Sequence, residues 1–203
     1  MPGSTPGSTP GSETLQVETE EWRRLVRAAR AGATDGVAGI LADHLDAPVR
    51  ALLVTTAGGR GVRSRLTLVG GRAVTVTQRI ESVEGGTRVE PGVRITVSDG
   101  DELWRSLAAT LPDSEPPSTQ ADDADHLLGP EESNLRVRVD AWRGSDRPVM
   151  VWDRLWSVVD DRLMDVRTDG DELRLLERPA GSAAEELRSA LTEALDAASR
   201  AGV

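Results

Sequence analysis

The chain has 203 residues, a formal net charge of −10 and only 2% aromatic residues. It contains no Cys, which excludes disulfides, thiol nucleophiles and thiolate zinc sites, and its 34 acidic against 24 basic residues argue against a phosphate-backbone partner. No apolar run approaches the length of a membrane span and no basic-then-apolar leader opens the chain, so no transmembrane helix is expected and the expected location is cytoplasmic.

Phe, Tyr and Lys are absent, every basic residue is Arg apart from two His, and there are three Ile and one Asn. The missing types have AT-rich codons, which points to a GC-rich genome such as an actinobacterium's. Trp, Leu, Val and Ala must therefore fill the core. The opening MPGSTPGSTPGS has no apolar side chain after Met1, so residues 1–13 are expected to be a tail that cannot offset its ordering entropy.

The folded part begins with TEEWRRLVRAARAG. Trp22, Leu25, Val26 and Ala29 recur at helical spacing, Thr19 can cap the start and Gly32 can stop it, which predicts a helix over 20–31. A shorter helix is expected over 37–45, ending before Pro48. The period then shortens. VRALLVTT (49–56) reads as a strand, RLTLVGGRAVTVTQRI (65–80) as a hairpin turning at Gly70-Gly71, and GVRITVS (92–98) as another strand. DGDELWRSLAATL carries Leu103, Leu107 and Leu111 at four-residue spacing, which predicts a helix ending at Pro112.

Residues 112–133 are Pro-rich, acidic and aperiodic, and are expected to be a long loop. Beyond it LRVRVDAWRG alternates as a strand, followed by the short β-like runs RPVMVWD, RLWSVVDD, RLMDVRT and ELRLLER. Ser182 with Glu185 has the pattern of a capping box before the helix EELRSALTEALDAASR.

The pentapeptide Asp-Gly-Asp-Glu-Leu occurs at 99–103 and again at 169–173. In the first copy Ser98 or Asp99 caps a helix whose first turn holds Asp101 and Glu102; in the second Asp169-Gly170 is a hairpin turn before a strand. Neither copy supplies the alternating oxygens of a calcium loop. A better internal match pairs DELWRSLAATL (101–111) with EELRSALTEAL (185–195). Each has two leading acids and Leu at the same three positions, and each comes after a run of strands.

The expected fold is therefore α+β: two pseudo-twofold-related halves, each an antiparallel β-meander followed by an amphipathic helix, with N-terminal helices. The halves are expected at 14–111 and 134–203.

Little points to catalysis. His44 sits at the end of the short helix and is expected to be solvated, and His126 lies in the acidic loop. There is no G-x-S-x-G elbow, no G-x-G-x-x-G and no Lys for a phosphate loop. The run QADDADH reads as solvated charge rather than a built metal site. No enzyme activity, cofactor or metal is expected. Met150, Trp152 and Trp156 in VMVWDRLWSVV would share a face of one strand and are the candidate partner-binding residues, since Trp and Met favour interfaces. In a chain without Phe or Tyr the same tryptophans are also natural core fillers.

This order of elements resembles the EspG family, the cytosolic chaperones of type VII (ESX) secretion in actinobacteria. RLTLVGGRAVTVTQ looks like that family's central hairpin, VSDGDELWRSLAATLP like its mid-chain helix, and GSAAEELRSALTEAL like its terminal helix. The family is built of two quasi-twofold halves. This chain is shorter than typical members and has a brief N-terminal region. The resemblance implies a protein partner, a secreted helical pair of the PE–PPE or WXG type whose apolar tip is covered before export. It assigns no site residue. The alternative is another non-catalytic α+β interaction module, such as an immunity or adaptor protein.

Overall fold

The computed structural model describes residues 12–69, 71–108, 111, 133–142, 148–159, 161–170 and 172–200. The elements in chain order are β1 (Ser12–Val17), α1 (Thr19–Arg30), α2 (Gly36–Asp46), β2 (Val49–Ala57), β3 (Arg60–Val69), β4 (Arg72–Val83), β5 (Gly86–Val89), β6 (Val93–Asp99), α3 (Gly100–Ala108), β7 (Ser133–Ala141), β8 (Val149–Val159), β9 (Arg162–Asp169), β10 (Glu172–Arg178) and α4 (Ser182–Arg200). The expected loop at 112–133 falls outside the described residues except for Ser133, which starts β7.

All strands join one ten-stranded antiparallel sheet in the order β1-β6-β4-β3-β2-β7-β8-β9-β10, with β5 a short flap on β4. The order explains the two halves. Each half is a meander that starts at the centre of the sheet and walks outward, β2-β3-β4-β6 one way and β7-β8-β9-β10 the other. The first strands of the two meanders pair with each other, with Leu53 opposite Val137. A twofold through that pair keeps each face of the sheet on its own side, so α3 and α4 lie on the same face.

That shared face carries the larger core. Leu103, Leu107 and Leu111 of the first half and Leu187 and Leu191 of the second are all buried in one cluster with Val49, Ala51, Leu53, Leu135, Val137 and Val139. These are the leucines matched in the 101–111 and 185–195 comparison. α4 approaches closely because the side it buries also holds Ala183, Ala190, Ala194 and Ala198. The opposite face of the first half holds a second cluster, in which Trp22, Leu25, Val37 and Ile40 of α1 and α2 pack on Val74, Val76, Val93 and Ile95.

The pentapeptide takes two structures, as its surroundings predict. Asp99 Oδ1 accepts the Glu102 amide at 2.8 Å and caps α3. In the second copy Asp169 pairs with Glu172 across the β9–β10 connection, so Asp169 belongs to the strand and the turn starts at Gly170, one position later than expected. Gly170 takes φ 66°, the left-handed conformation that glycine adopts without steric cost.

Five expectations need correction. Thr19 is the first residue of α1 rather than its cap; Glu18 holds the capping position, with no side-chain hydrogen bond. β1 begins at Ser12, inside the stretch expected as tail; its six residues are too short to show a period, and their order comes from pairing with β6. The runs RPVMVWD and RLWSVVDD are one strand, β8. Gly181, whose carbonyl accepts the Glu185 amide at 3.2 Å, holds the capping position of α4, which places Ser182 inside the first turn. His44 is not solvated: it is 4% exposed, with Nδ1 2.8 Å from Thr67 Oγ1. It sits on the buried side of α2 facing β3, a placement that its position near a helix end does not disclose.

Candidate functional site

Met150, Trp152 and Trp156 are all on β8, but they are not equivalent. Trp156 stands opposite Leu135 and is fully buried. Trp152 stands opposite Val139, is half-buried, and its ring lies 5.3 Å from that of Trp156 at an interplanar angle of 50°. Both face α4. Met150 stands opposite Asp140, because the pairing shifts between Val139 and Asp140. That bulge adds one residue to β8 and turns Met150 to the other face, where it is 53% exposed. The expectation that all three share a face is therefore corrected: a bulge breaks the period of two on which it rested. In this arrangement Trp156 is a core residue with no surface to offer.

The other tryptophans reflect the Arg-only cationic composition. Arg50 lies 4.3 Å over the Trp142 ring, Arg188 4.9 Å over Trp104, and Arg154 5.8 Å from Trp152. A guanidinium stacked on an indole lets a partly exposed ring keep its apolar face covered.

A larger concavity lies on the α3 side of the first half. α4 has 19 residues and covers β7, β2 and β8. α3 packs on β6 and β4, with the Leu111 N–H still donating to the Leu107 carbonyl, and among the described residues the rest of that half of the face is open. Residue types change accordingly along each cross-strand row. One row runs Thr14, Thr96, Thr75, Leu66, Ala51, Val139, and the next Gln16, Arg94, Thr77, Ser64, Leu53, Val137. Hydroxyls and polar groups line the open end, and aliphatic residues begin where helices cover the sheet. The result is a groove of about 670 Å³.

The groove floor is tied together by its own hydroxyls. Thr14 Oγ1 lies 3.2 Å from Thr96 Oγ1, and Ser64 Oγ 3.1 Å from Thr77 Oγ1. These pairs leave lone pairs and rotatable O–H groups facing solvent, able to accept or donate to a partner's backbone. One wall is backed by Leu103, Leu107 and Leu111, which are themselves buried; the rim carries Arg79, Arg94, Glu90 and Glu102. Glu102 is held by Arg105 at 2.5 Å.

The groove has no His among its lining residues, and nothing in it pairs a nucleophile with a base. His44 is on the opposite face. Burial, with Arg50 and Arg65 nearby, pushes its pKa from 6.5 down to about 4, which holds it neutral beside Thr67. Among the described residues no three His, Asp or Glu side chains gather as a metal site, and no helix is long and apolar enough to cross a membrane. An open floor of hydroxyls fits a protein segment better than a small charged metabolite, which an enclosed pocket would hold.

Sequence reading missed this groove. Its Thr and Ser residues look like ordinary solvent-facing strand positions, and only the packing of α3 beside them makes them a concave surface.

No family model matches the chain, and no curated protein matches it in sequence. Among solved structures, it is similar to the type VII secretion system chaperone EspG5 of Mycobacterium tuberculosis, determined in complex with a PE25-PPE41 dimer: the two share 10% sequence identity and a TM-score of 0.55 over 91% of this chain and 96% of that one, so this chain has the EspG5-like α+β fold.

Proposed function

We propose that the protein is a cytoplasmic chaperone of type VII secretion that binds a secreted helical pair of the PE–PPE or WXG type and covers its apolar tip until export. The observation that carries this reading is the fold shared with EspG5 along nearly the whole of both chains, since that chaperone was solved in complex with a PE25-PPE41 dimer. The groove supports it independently. It offers polar contact along the part-exposed Thr75, Thr77 and Thr96, with the buried leucines of α3 fixing one wall behind them, a surface able to hydrogen-bond a protein segment. On this reading the protein binds and does not catalyse.

The test is a pull-down with the tagged chain from a lysate of its source organism, with bound proteins identified by mass spectrometry. Recovery of a paired PE–PPE or WXG-type substrate is expected. Thr96→Arg, which fills the groove without touching the core, is expected to weaken that recovery at least tenfold at unchanged melting temperature. Recovery of only a toxin domain or a regulator would refute the proposal in favour of an immunity or adaptor protein.

A further inference from the structure

The two halves of the sheet correspond residue by residue. The β3–β4 hairpin, closed by Val69 and Arg72, matches the β8–β9 hairpin, closed by Val159 and Arg162. The match places Ser64 on Arg154 and Val76 on Val166. It passes an independent check at the centre of the sheet: Leu53 pairs with Ser64 and Val137 with Arg154, and Leu53 and Val137 pair with each other. It then extends outward. Ile95 stands beside Val76, and Leu175 stands beside Val166, so β6 corresponds to β10, Ile95 to Leu175 and Val93 to Leu173.

Equivalent positions are covered very differently. Val93 and Ile95 are each 2% exposed, whereas Leu173 is 54% exposed and Leu175 half-buried. The difference is the unit formed by β1 and α1. β1 pairs with the outer edge of β6, setting Val17 opposite Val93 and Leu15 opposite Ile95. Val17, Trp22, Leu25 and Ala29 of this unit join the cluster that buries Val93 and Ile95. Among the described residues no strand pairs with the outer edge of β10, and no helix lies over Leu173. On the Leu173–Leu175 side of β10 the charge is Glu177, which lies past the two leucines and is held by Arg162, so the leucines themselves are left unblunted.

We propose that the outer edge of β10, with Leu173 and Leu175, is a docking surface for a strand-then-helix segment of a partner protein, which completes the second half as β1 and α1 complete the first. The arriving segment is extended, pairs antiparallel with β10, sets apolar side chains at alternate positions against Leu173 and Leu175, and continues into an amphipathic helix that lies over them. A second copy of β10 fits worse. Antiparallel self-pairing centred on Leu175 sets Leu173 against Glu177, and centring it on Arg174 sets Leu173 against Leu175 only by placing Arg174 opposite Arg174, like charges directly opposed; neither register brings a helix over the leucines as α1 does in the first half. The inference shares with the proposed function only the premise that this protein binds another protein, and the surface lies at the far edge of the sheet from the groove.

The segment that fills the equivalent place supplies the probe. A synthetic peptide of residues 12–30 is added at up to about 1 mM to the ¹⁵N-labelled full chain, and amide shifts and hydrogen exchange are followed. Shifts and slowed exchange across Glu172–Arg178 are expected, and Leu173→Glu, an exposed position that leaves the melting temperature unchanged, weakens them at least tenfold. No change at β10, or changes confined to β6 through displacement of the chain's own β1, would overturn the proposal. So would concentration-dependent dimerisation abolished by Leu173→Glu, which assigns the edge to a second copy. None of these outcomes depends on a secretion substrate, so a failed pull-down and a failed peptide titration are separate results.

Discussion

His44 links stability to pH in a way that can be worked from the structure. The imidazole is buried against Thr67, and burial, with Arg50 and Arg65 behind it, lowers its pKa from 6.5 to about 4. The unfolded chain therefore takes up a proton near pH 6.5, while the folded chain resists until near pH 4. Between those values the unfolded state binds more protons, so stability is fully present above pH 6.5 and falls as pH drops toward 4. At about 1.4 kcal/mol per pKa unit, the full loss is roughly 3 kcal/mol, of which about 2 kcal/mol has gone by pH 5. His44→Asn keeps a polar atom within reach of Thr67 and removes the titration. Guanidinium unfolding at pH 7.5 and pH 5, followed by Trp fluorescence, compares the two proteins. The wild type should lose about 2 kcal/mol more than the variant between those pH values. Carboxylates titrate alike in both proteins and cancel in the difference. Parallel losses, or an NMR titration of the His44 ring with its midpoint near 6.5, would overturn this account.

Other substitutions probe the rest of the framework. Trp156→Ala empties a fully buried site in the main cluster and should cost about 3–5 kcal/mol by denaturant unfolding, whereas Met150→Asp, on the far side of the β8 bulge, should change stability by less than about 0.5 kcal/mol. Asp165 is fully buried, with Oδ2 2.7 Å from Arg167 and 3.2 Å from Arg178, both partly exposed and able to turn to water, so Asp165→Ala should cost only about 1 kcal/mol in the same assay. Asp99→Ala removes the α3 cap and should cost about 1 kcal/mol, read as a lowered melting temperature. Gly39→Ala, normally a gain of roughly 0.5–1 kcal/mol within a helix, should instead destabilise, because the added Cβ would meet the Thr34 backbone at 2.5 Å.

Local chemistry made much of the fold legible. The helices α1, α2, α3 and α4 and the strands of both meanders are marked by their period, and α3 also by its cap at Asp99. The two uses of Asp-Gly-Asp-Glu-Leu were readable from the residues after each copy, a helix-spaced leucine series in one and an alternating strand in the other. The internal match of 101–111 with 185–195 pointed to two halves. A closer signal of duplication lies in a shared tetrapeptide: Ala-Asp-His-Leu occurs at 42–45 and at 124–127, each followed by a Pro and then the first strand of a meander, although the second copy lies outside the described residues.

Local pattern cannot encode which surface another element covers. The period of two places Thr75, Thr77 and Thr96 on one side of their strands, but only where α3 and α4 pack across that face decides which residues among those described stay open as a groove. The same period puts Met150 beside Trp152, and only a bulge formed by pairing with β7 separates them. His44 looks like the solvated end of a short helix until β3 brings Thr67 to its ring. Val93 and Leu173 read alike as strand residues, and their burial differs because β1 and α1 return to one edge of the sheet and not the other. Periodicity and capping are interactions among near neighbours, so the elements and their order are written in the amino-acid pattern alone. Coverage depends on contacts between residues far apart in the chain, and it is settled only when the sheet assembles around its central pair of strands.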